Sequence, residues 1–178
     1  MPGSRVTPIG AILRGIVAGA AGVVAMDVFW YVRYRRGGGR SGPLGYEFGA
    51  EKDWTKVSAP GKLGKRLIEG FTQDELPAER APLVNNAMHW AYGLGWGAIY
   101  GVVAGSLRDP RPLIGPAFGA VVWVAGYALL PLAKLYKPIW EYDAKTLGQD
   151  LAGHLLFGVG TGVAFRLLTG NGSSRRAR

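Results

Sequence analysis

Two histidines stand in matching settings along the chain. His89 and His154 are its only histidines. Each has a polar residue four positions earlier, Asn85 in one case and Asp150 in the other. Residues four apart share one face of a helix. A carboxylate beside an imidazole favours the charged ring and can fix its tautomer. Such pairs can respond to protons, help to bind a cation, or hydrogen-bond across helices and hold a bundle together.

Both histidines open the same twelve-residue pattern, His-x-x-aromatic-Gly-x-Gly-x-Gly-x-x-aromatic. Convergent use of glycine in helices accounts for the glycines but not for the histidine and its polar partner. We therefore predict two copies of a helical hairpin, related by a pseudo-two-fold axis along the membrane normal. The first and third segments match more loosely, with Gly15 and Gly19 aligned to Gly115 and Gly119. The matched residues of the pattern are Tyr92, Gly93, Gly95, Gly97 and Tyr100 in one copy and Phe157, Gly158, Gly160, Gly162 and Phe165 in the other.

Long stretches without charge carry these patterns. No Asp, Glu, Lys or Arg occurs in 81–107, 112–133 or 151–165. A helix that crosses a bilayer needs about 20 mostly apolar residues. A soluble four-helix bundle would need a polar stripe on each helix, and these segments lack one. We expect an all-α, polytopic membrane protein forming one membrane domain over residues 1–178. The predicted transmembrane helices are 8–31, 83–106, 112–133 and 147–168.

Glycine is about twice as frequent as usual, with 29 residues. Glycines four residues apart on an apolar helix let two helix backbones approach closely. The ridges predicted to pack in this way are Gly93, Gly97 and Gly101 in the second predicted span and Gly158 and Gly162 in the fourth.

Residues 34–82 are predicted to form an extramembrane loop. Its first part is rich in glycine and reads as irregular. Leu63, Leu67 and Phe71 then recur every four residues, with Lys62 and Arg66 on other faces. This pattern predicts a short amphipathic helix on the bilayer surface, near anionic headgroups. A helix packed on the span ends is the alternative. The basic residues are mixed with acids, so nucleic acid is not an expected partner.

The candidate site collects the polar residues of the predicted spans. At 1.5 Å rise per residue, they fall within about the same 10 Å slab at the loop-bearing side. Ionisable groups in a membrane usually face the bundle interior. The candidates for proton or ligand binding are Asp27, Asn85, His89, Asp150 and His154, with Glu141 over them.

Several functional classes are excluded or disfavoured by composition. The chain has no cysteine, so disulfides, thiolate metal sites and cysteine nucleophiles are excluded. No zinc-protease pattern of the His-Glu-x-x-His kind occurs, and the spacing gives no Ser-His-Asp arrangement. We expect no cofactor and no enzymatic activity. Haem held by His89 and His154, or a cation, stays open as an alternative.

The sequence resembles the YagU-like family of bacterial inner-membrane proteins. The resemblance lies in Ala87-Met88-His89, in Asp150-Leu151-Ala152-Gly153-His154-Leu155 and in the preceding Pro138-Ile139-Trp140-Glu141. It implies a multi-span protein of the bacterial inner membrane, with a link to acid tolerance. It assigns no catalytic residues.

These observations favour a non-enzymatic membrane protein whose His/Asp cluster binds or responds to protons or a cation. A structural or assembly subunit of a membrane complex is the alternative, and a small b-type haem protein is a further one. The expected partners are the lipid bilayer and anionic headgroups, with a homodimer or a membrane-complex partner.

Overall fold

The computed structural model describes residues 7–49, 52–107 and 114–170. Over this part of the chain every regular element is helical and no strand occurs, so the expected all-α class is confirmed. Single 3-10 turns cover Ala78–Arg80 and Ile139–Glu141. The six helices are α1 (Pro8–Arg36), α2 (Pro43–Phe48), α3 (Ala59–Thr72), α4 (Ala81–Ser106), α5 (Ile114–Leu129) and α6 (Ala144–Gly170).

The chain divides into two compact units. The first unit comprises Met1–Phe29, Gly93–Val124 and Asp143–Arg178, and the second comprises Trp30–Tyr92 and Ala125–Tyr142. Helices α1, α4 and α5 each contribute residues to both units, whereas α6 belongs wholly to the first and α2 and α3 to the second.

The ends of the long helices follow local sequence rather than the limits of the uncharged runs. α1 continues past the predicted end at residue 31, and its last turn holds Arg33, Arg35 and Arg36, whose charge favours a helix C-terminus. It ends before Gly38, which has a φ of 93°. α5 ends at Leu129 rather than at 133, because Pro131 disfavours helical geometry at the residue before it. The predicted start at 112 lies outside the described residues.

α1 and α4 meet through glycine backbone in the first unit. A Cβ placed on Gly19 would lie 2.7 Å from the Gly93 carbonyl oxygen and 2.8 Å from the Gly97 Cα. A Cβ on Gly15 would lie 2.8 Å from the Gly101 Cα. Later residues of α1 thus contact earlier residues of α4, so the two helices are antiparallel. Their backbones are in direct contact, which only residues without a Cβ permit.

α5 and α6 meet in the same manner. A Cβ on Gly115 would lie 2.6 Å from the Gly158 carbonyl oxygen, and a Cβ on Gly158 would lie 2.8 Å from the Gly119 nitrogen. Gly119 faces the carbonyl of His154. These two helices are therefore antiparallel as well.

The glycine contacts of the α5–α6 pair match those of the α1–α4 pair, but the matching residues of α1 and α5 differ by one helical turn from those that the sequence alignment paired. Gly115 contacts Gly158 and Gly162, which are the motif counterparts of Gly93 and Gly97. Gly93 and Gly97 contact Gly19. By its contacts Gly115 therefore corresponds to Gly19, whereas the sequence alignment paired it with Gly15.

Aromatic side chains fill the space where the helix pairs meet. Tyr100 makes edge-on contacts with Phe118 and Phe165, at ring-centroid distances of 5.0 Å and 5.6 Å. A Cβ on Gly93 would lie 3.6 Å from the Phe157 ring. α4 and α6 therefore run parallel, with Gly93 beside Phe157 and Tyr100 beside Phe165. The cluster of buried residues comprises Ala18, Tyr100, Ala104 and Phe165.

Small residues are buried at the helix contacts of the first unit, together with some larger ones such as Val23, and many other large apolar residues are exposed. α1 buries Ala11, Gly15, Ala18, Gly19 and Gly22. Its outer side exposes Val and Leu side chains by about half, and α6 does the same. The exposed residues are Leu13, Val17, Val24 and Val28 on α1, Ile99, Val102 and Val103 on α4, Val121 and Val124 on α5, and Val159, Val163 and Leu167 on α6.

Two of the described helices, α1 and α6, are long and apolar enough to cross a membrane. α5 is apolar but shorter. The first unit thus combines four helices in close contact, two of which have the length and composition of membrane spans.

α3 packs on α4 in the second unit through a glycine face. A Cβ on Gly64 would lie 2.6 Å from the Met88 Cγ, and Ala59, Gly61 and Gly64 are buried. α3 begins three residues before the predicted amphipathic stretch at 62–71 and ends one residue after it. α2 lies in the part predicted as irregular, and Pro43 stands at its start. Proline at the first helical position is a helix-start signal that could have predicted it.

Tyrosine clusters join the remaining segments of the second unit. Tyr127, Tyr136 and Tyr142 have ring-centroid distances of 5.2 to 6.1 Å, and the Tyr142 hydroxyl accepts a hydrogen bond from the Lys137 nitrogen. Tyr34 and Tyr46 approach to 4.9 Å. Such ring pairs add to the apolar burial that holds the chain segments.

Candidate functional site

α6 positions the His154–Asp150 pair. Asp143 precedes the helix and accepts hydrogen bonds from the nitrogen and the hydroxyl of Thr146, at 2.9 Å and 2.6 Å. The side-chain bond from Thr146, followed by the backbone bond, lowers the pKa of Asp143 below its ordinary value. The negative charge therefore persists at neutral pH beside the helix N-terminus, where it is stabilising. Asp150 and His154 follow on the first turns of this helix.

The imidazole of His154 is held by its own helix. Its Nδ1 lies 2.8 Å from the backbone carbonyl oxygen of Asp150 and 3.6 Å from the Asp150 Oδ1. Because the carbonyl can only accept, Nδ1 carries the proton in this contact. Within the described part of the chain, no hydrogen bond to Nε2 is found. In the neutral ring, Nε2 is then the atom that can accept a proton or a ligand.

Asp150 has an oxygen without a partner. Its Oδ2 is inaccessible and makes no hydrogen bond among the described residues, although the whole side chain is 22% exposed. An inaccessible carboxylate oxygen without a donor is an open acceptor position, which a ligand or a donor group could occupy.

Asp27 of α1 lies at the level of this pair. α1 is antiparallel to α4 and α4 is parallel to α6, so α1 is antiparallel to α6. A Cβ on Gly22 would lie 2.7 Å from the Phe157 carbonyl oxygen. Asp27 lies five residues beyond Gly22, towards the N-terminal end of α6, within about one turn of the level of Asp150 and His154. In the first unit, 93–107 of α4 and 114–124 of α5 carry no charged residue.

Asn85 docks the loop onto α4. Its Oδ1 accepts hydrogen bonds from the Ser58 hydroxyl at 2.6 Å and from the Gly61 nitrogen at 3.1 Å. The neighbouring Asn86 donates to Glu47 Oε2 at 2.8 Å. Both asparagines thus hold segments of the second unit, α3 in one case and α2 in the other. The sequence suggested a site role for Asn85 because it stands four residues before His89, and its bonds to Ser58 and Gly61 could not be seen from that spacing.

The other candidates lie in the second unit. His89 is partly buried on α4, four residues after Asn85, and takes part in further interactions. Glu141 is exposed in the 3-10 turn Ile139–Glu141. Because the two histidines belong to different units, a shared His89–His154 site and haem ligation by the pair stay predictions.

A network of polar contacts holds the segment between α3 and α4 against the end of α3 and against Trp54. Glu69 forms an ion pair with Lys65 at 2.7 Å and accepts a hydrogen bond from the Leu76 nitrogen at 2.8 Å. The Leu76 carbonyl accepts one from Trp54 Nε1 at 2.9 Å. The Lys65 bond, followed by the Leu76 amide, lowers the pKa of Glu69. Lys65 and Glu69 are four residues apart and share one face of α3, whereas Leu76 lies beyond the end of the helix.

Thr161 is a buried polar residue that the sequence reasoning did not select. It is fully buried in the first unit, and its hydroxyl donates to the Phe157 carbonyl at 2.8 Å. It contacts Gly22 of α1. Thr161 lies between Gly160 and Gly162, and this position in the glycine motif could have predicted that it is buried at a helix contact. Among the described residues, no three His, Asp or Glu side chains come together in an arrangement that could hold a metal ion.

Comparison of the chain with family models, curated proteins and solved structures gives no match. The resemblance to the YagU-like family therefore stays a prediction carried by the residues around His89 and His154.

Proposed function

We propose that this chain is an integral membrane protein, and that the His154–Asp150 pair of α6 responds to protons. The membrane part rests on the outer sides of the helices in the first unit, which expose many valine and leucine side chains. Soluble proteins rarely expose such apolar faces, whereas lipid tails solvate them. Four spans, formed by α1, α4, α5 and α6 as two related hairpins in the bacterial inner membrane, are part of this proposal.

The unpartnered Oδ2 of Asp150 is the observation that carries the proton-responsive role. The oxygen lies on an apolar helix, and its neighbour is the His154 imidazole, which can take a second proton on Nε2. In the same unit the facing helix α1 carries Asp27, at the level of the pair, and Arg14, more than three turns further along α1. Near the start of α6 lie Asp143 and Lys145, which are exposed. A proton entering this pair changes charge where hydration does not compensate it.

Infrared difference spectroscopy of the full chain in lipid vesicles, recorded between neutral and acidic pH, tests this role. We expect a protonated-carboxyl band that Asp150→Asn removes and that His154→Gln moves to a different pH. Glu79→Gln, which changes an exposed carboxylate of the second unit, is the matched control and leaves the band in place. A band that persists unchanged in Asp150→Asn contradicts the proposal.

A cellular measurement addresses the same role. Cells that carry His154→Gln or Asp150→Asn are expected to lose an acid-dependent growth phenotype while the protein stays inserted at wild-type level. Growth identical to that of wild type across acidic pH argues against a proton-linked function.

A second candidate is a structural or assembly role in a membrane complex, and Gly95 favours it. Its motif counterpart Gly160 faces α1, where an added Cβ would lie 2.9 Å from the Ala25 Cβ. A Cβ on Gly95 would meet nothing within 4 Å. Gly95 thus leaves space on α4 where a further helix can approach. Purification in mild detergent tests this role, because a stoichiometric partner that Gly95→Leu displaces supports it and a monomer contradicts it.

A further inference from the structure

α3 exposes apolar and basic side chains around the small residues that it packs against α4. α3 buries Ala59, Gly61 and Gly64, which have little or no side chain. Of its large apolar residues, Leu67 is 46% and Phe71 88% exposed, whereas Leu63 and Ile68 are partly buried. We call the residues Lys62, Leu63, Arg66, Leu67 and Phe71 the α3 outer face.

The α3 outer face continues onto the segment after α5. The Arg66 guanidinium donates a hydrogen bond to the Ala133 carbonyl. The residues on either side of Ala133 are Leu132, which is 81% exposed, and Lys134, which is exposed as well. Two segments that are distant in sequence thus present exposed apolar side chains beside basic ones in the same unit.

The charge of this surface is positive. Lys62 and Arg66 lie one turn apart on the flank of the apolar stripe, and Lys134 joins them through the Arg66–Ala133 bond. The acid of the helix, Glu69, is bound by Lys65 and the Leu76 nitrogen. Asp74 and Glu75 are exposed beyond the end of the helix. Basic side chains flanking a shallow apolar stripe are typical of a helix that lies in the headgroup layer.

We infer that the α3 outer face, with Leu132 and Lys134, lies on the anionic headgroup layer of the bilayer. The inference rests on the proposed membrane location of the chain. A second copy is a poorer occupant, because a two-fold contact would place the same lysine and arginine residues against each other. Anionic lipids supply the opposite charge, and the upper acyl chains take up Leu67 and Phe71.

Single-cysteine labelling tests the inference, because the chain has no cysteine of its own. An environment-sensitive fluorophore is attached to Phe71→Cys in the full chain, reconstituted in vesicles of equal parts phosphatidylcholine and phosphatidylglycerol. Thr72→Cys is the matched control, one residue on and about 100° around the helix. We expect nitroxide-labelled lipid to quench the label at 71 several-fold more than the label at 72. Equal quenching at the two positions overturns the inference.

The charge contribution is tested in the same labelled chain. Adding Lys62→Gln is expected to weaken the lipid association of α3 about fivefold in the anionic vesicles and not in pure phosphatidylcholine. Lys52→Gln, an exposed lysine outside the α3 outer face, is the control. An equal effect in both kinds of vesicle overturns the role of anionic headgroups.

Two further measurements distinguish a failure of this inference from a failure of the membrane proposal. A label at Val163→Cys, on the exposed side of α6, reports insertion of the bundle itself. Lipid quenching at 163 without quenching at 71 overturns this inference alone, whereas its absence at 163 contradicts the membrane proposal. Efficient disulfide cross-linking of Phe71→Cys between copies overturns the lipid assignment in favour of a second copy.

Discussion

The two units of the molecule differ in the kind of contact that stabilises each of them internally. In the first unit, helices touch through glycine backbone, as where Gly19 meets Gly93 and Gly97. In the second unit, side chains bridge distant segments, as where Asn85 binds Ser58 and Gly61. Close packing of helix backbones can hold helices together in an apolar solvent. Hydrogen bonds between polar side chains are more typical of segments in contact with water or the membrane interface. The contrast supports a membrane setting for the first unit.

The largest expected effect comes from filling a glycine contact of the first unit. Gly97→Ala places a Cβ 2.5 Å from the Gly15 carbonyl oxygen and 2.6 Å from the Gly19 Cα, both of which are backbone atoms that cannot rotate away. We expect a loss of about 3 kcal/mol in the free energy of unfolding, measured in mixed micelles. Gly95→Ala is the control, since its Cβ meets nothing within 4 Å. Equal losses in the two variants would remove the distinction between the units.

A side-chain bond of the second unit should have a smaller and more local effect. Asn85→Ala removes the acceptor of Ser58 and of the Gly61 nitrogen. The expected cost is about 1–2 kcal/mol, because two donors lose their partner. Amide hydrogen exchange should accelerate in α3. Asn86→Ala, which breaks the bond to Glu47, should act on α2 instead. Acceleration throughout α6 in either variant would contradict a local role.

Polar side chains of the first unit should contribute less. Thr161→Val keeps the shape of the side chain and removes a hydroxyl that donates to Phe157 of its own helix. We expect a change below about 1 kcal/mol in the free energy of unfolding, because the bond lies within one helix. Thr161→Leu adds volume against Gly22 and should cost more. A greater loss for valine than for leucine would show that the hydroxyl, rather than packing, determines stability there.

The smallest expected effect is a pH dependence in the second unit. Lys65 and the Leu76 amide lower the pKa of Glu69 below the ordinary value of 4.5 for a glutamate. A lowered carboxylate pKa contributes stability above pH 4.5, and this contribution is lost as the pH falls through the lower folded-state value. Amide exchange at the end of α3 should therefore accelerate in that acidic range. Glu69→Gln should abolish this dependence, and a dependence that persists would assign it to another group.

Much of the helical architecture is predictable from the absence of charge. The predicted segments 83–106 and 147–168 correspond to α4 and α6 within three residues at each end. The glycine spacing predicted close helix contacts, and both helix pairs make them. The uncharged run predicted that α5 ends at residue 133, but the helix ends at Leu129. Pro131 disrupts the helix without introducing a charge, so the charge pattern does not reveal this end.

The candidate site was less predictable. Spacing placed Asp150 and His154 on one face, and the structure brings them together within their helix. The spacing could not show that His154 Nδ1 contacts the backbone carbonyl of Asp150. Nor could it show that the Asn85 side chain accepts hydrogen bonds from Ser58 and Gly61. Contacts between residues far apart in sequence depend on how the loop packs, and no local periodicity encodes them. The shift of one turn between Gly19 and Gly115 has the same origin.

The aromatic contact between α4 and α5 determines where the bundle can deform. α1 and α6 contact at Gly22 and Gly160, where the side chains of Thr161 and Ala25 lie beside the backbone, whereas α1–α4 and α5–α6 meet backbone to backbone. Between α4 and α5, Phe118 meets Trp96 and Tyr100 with ring centroids 5.8 Å and 5.0 Å apart. Sliding at a glycine contact requires whole helices to separate, whereas rotation of a ring changes the α4–α5 spacing directly. The ring contacts of α4 with α5 and with α6 are therefore the places where we expect a breathing motion to open the bundle.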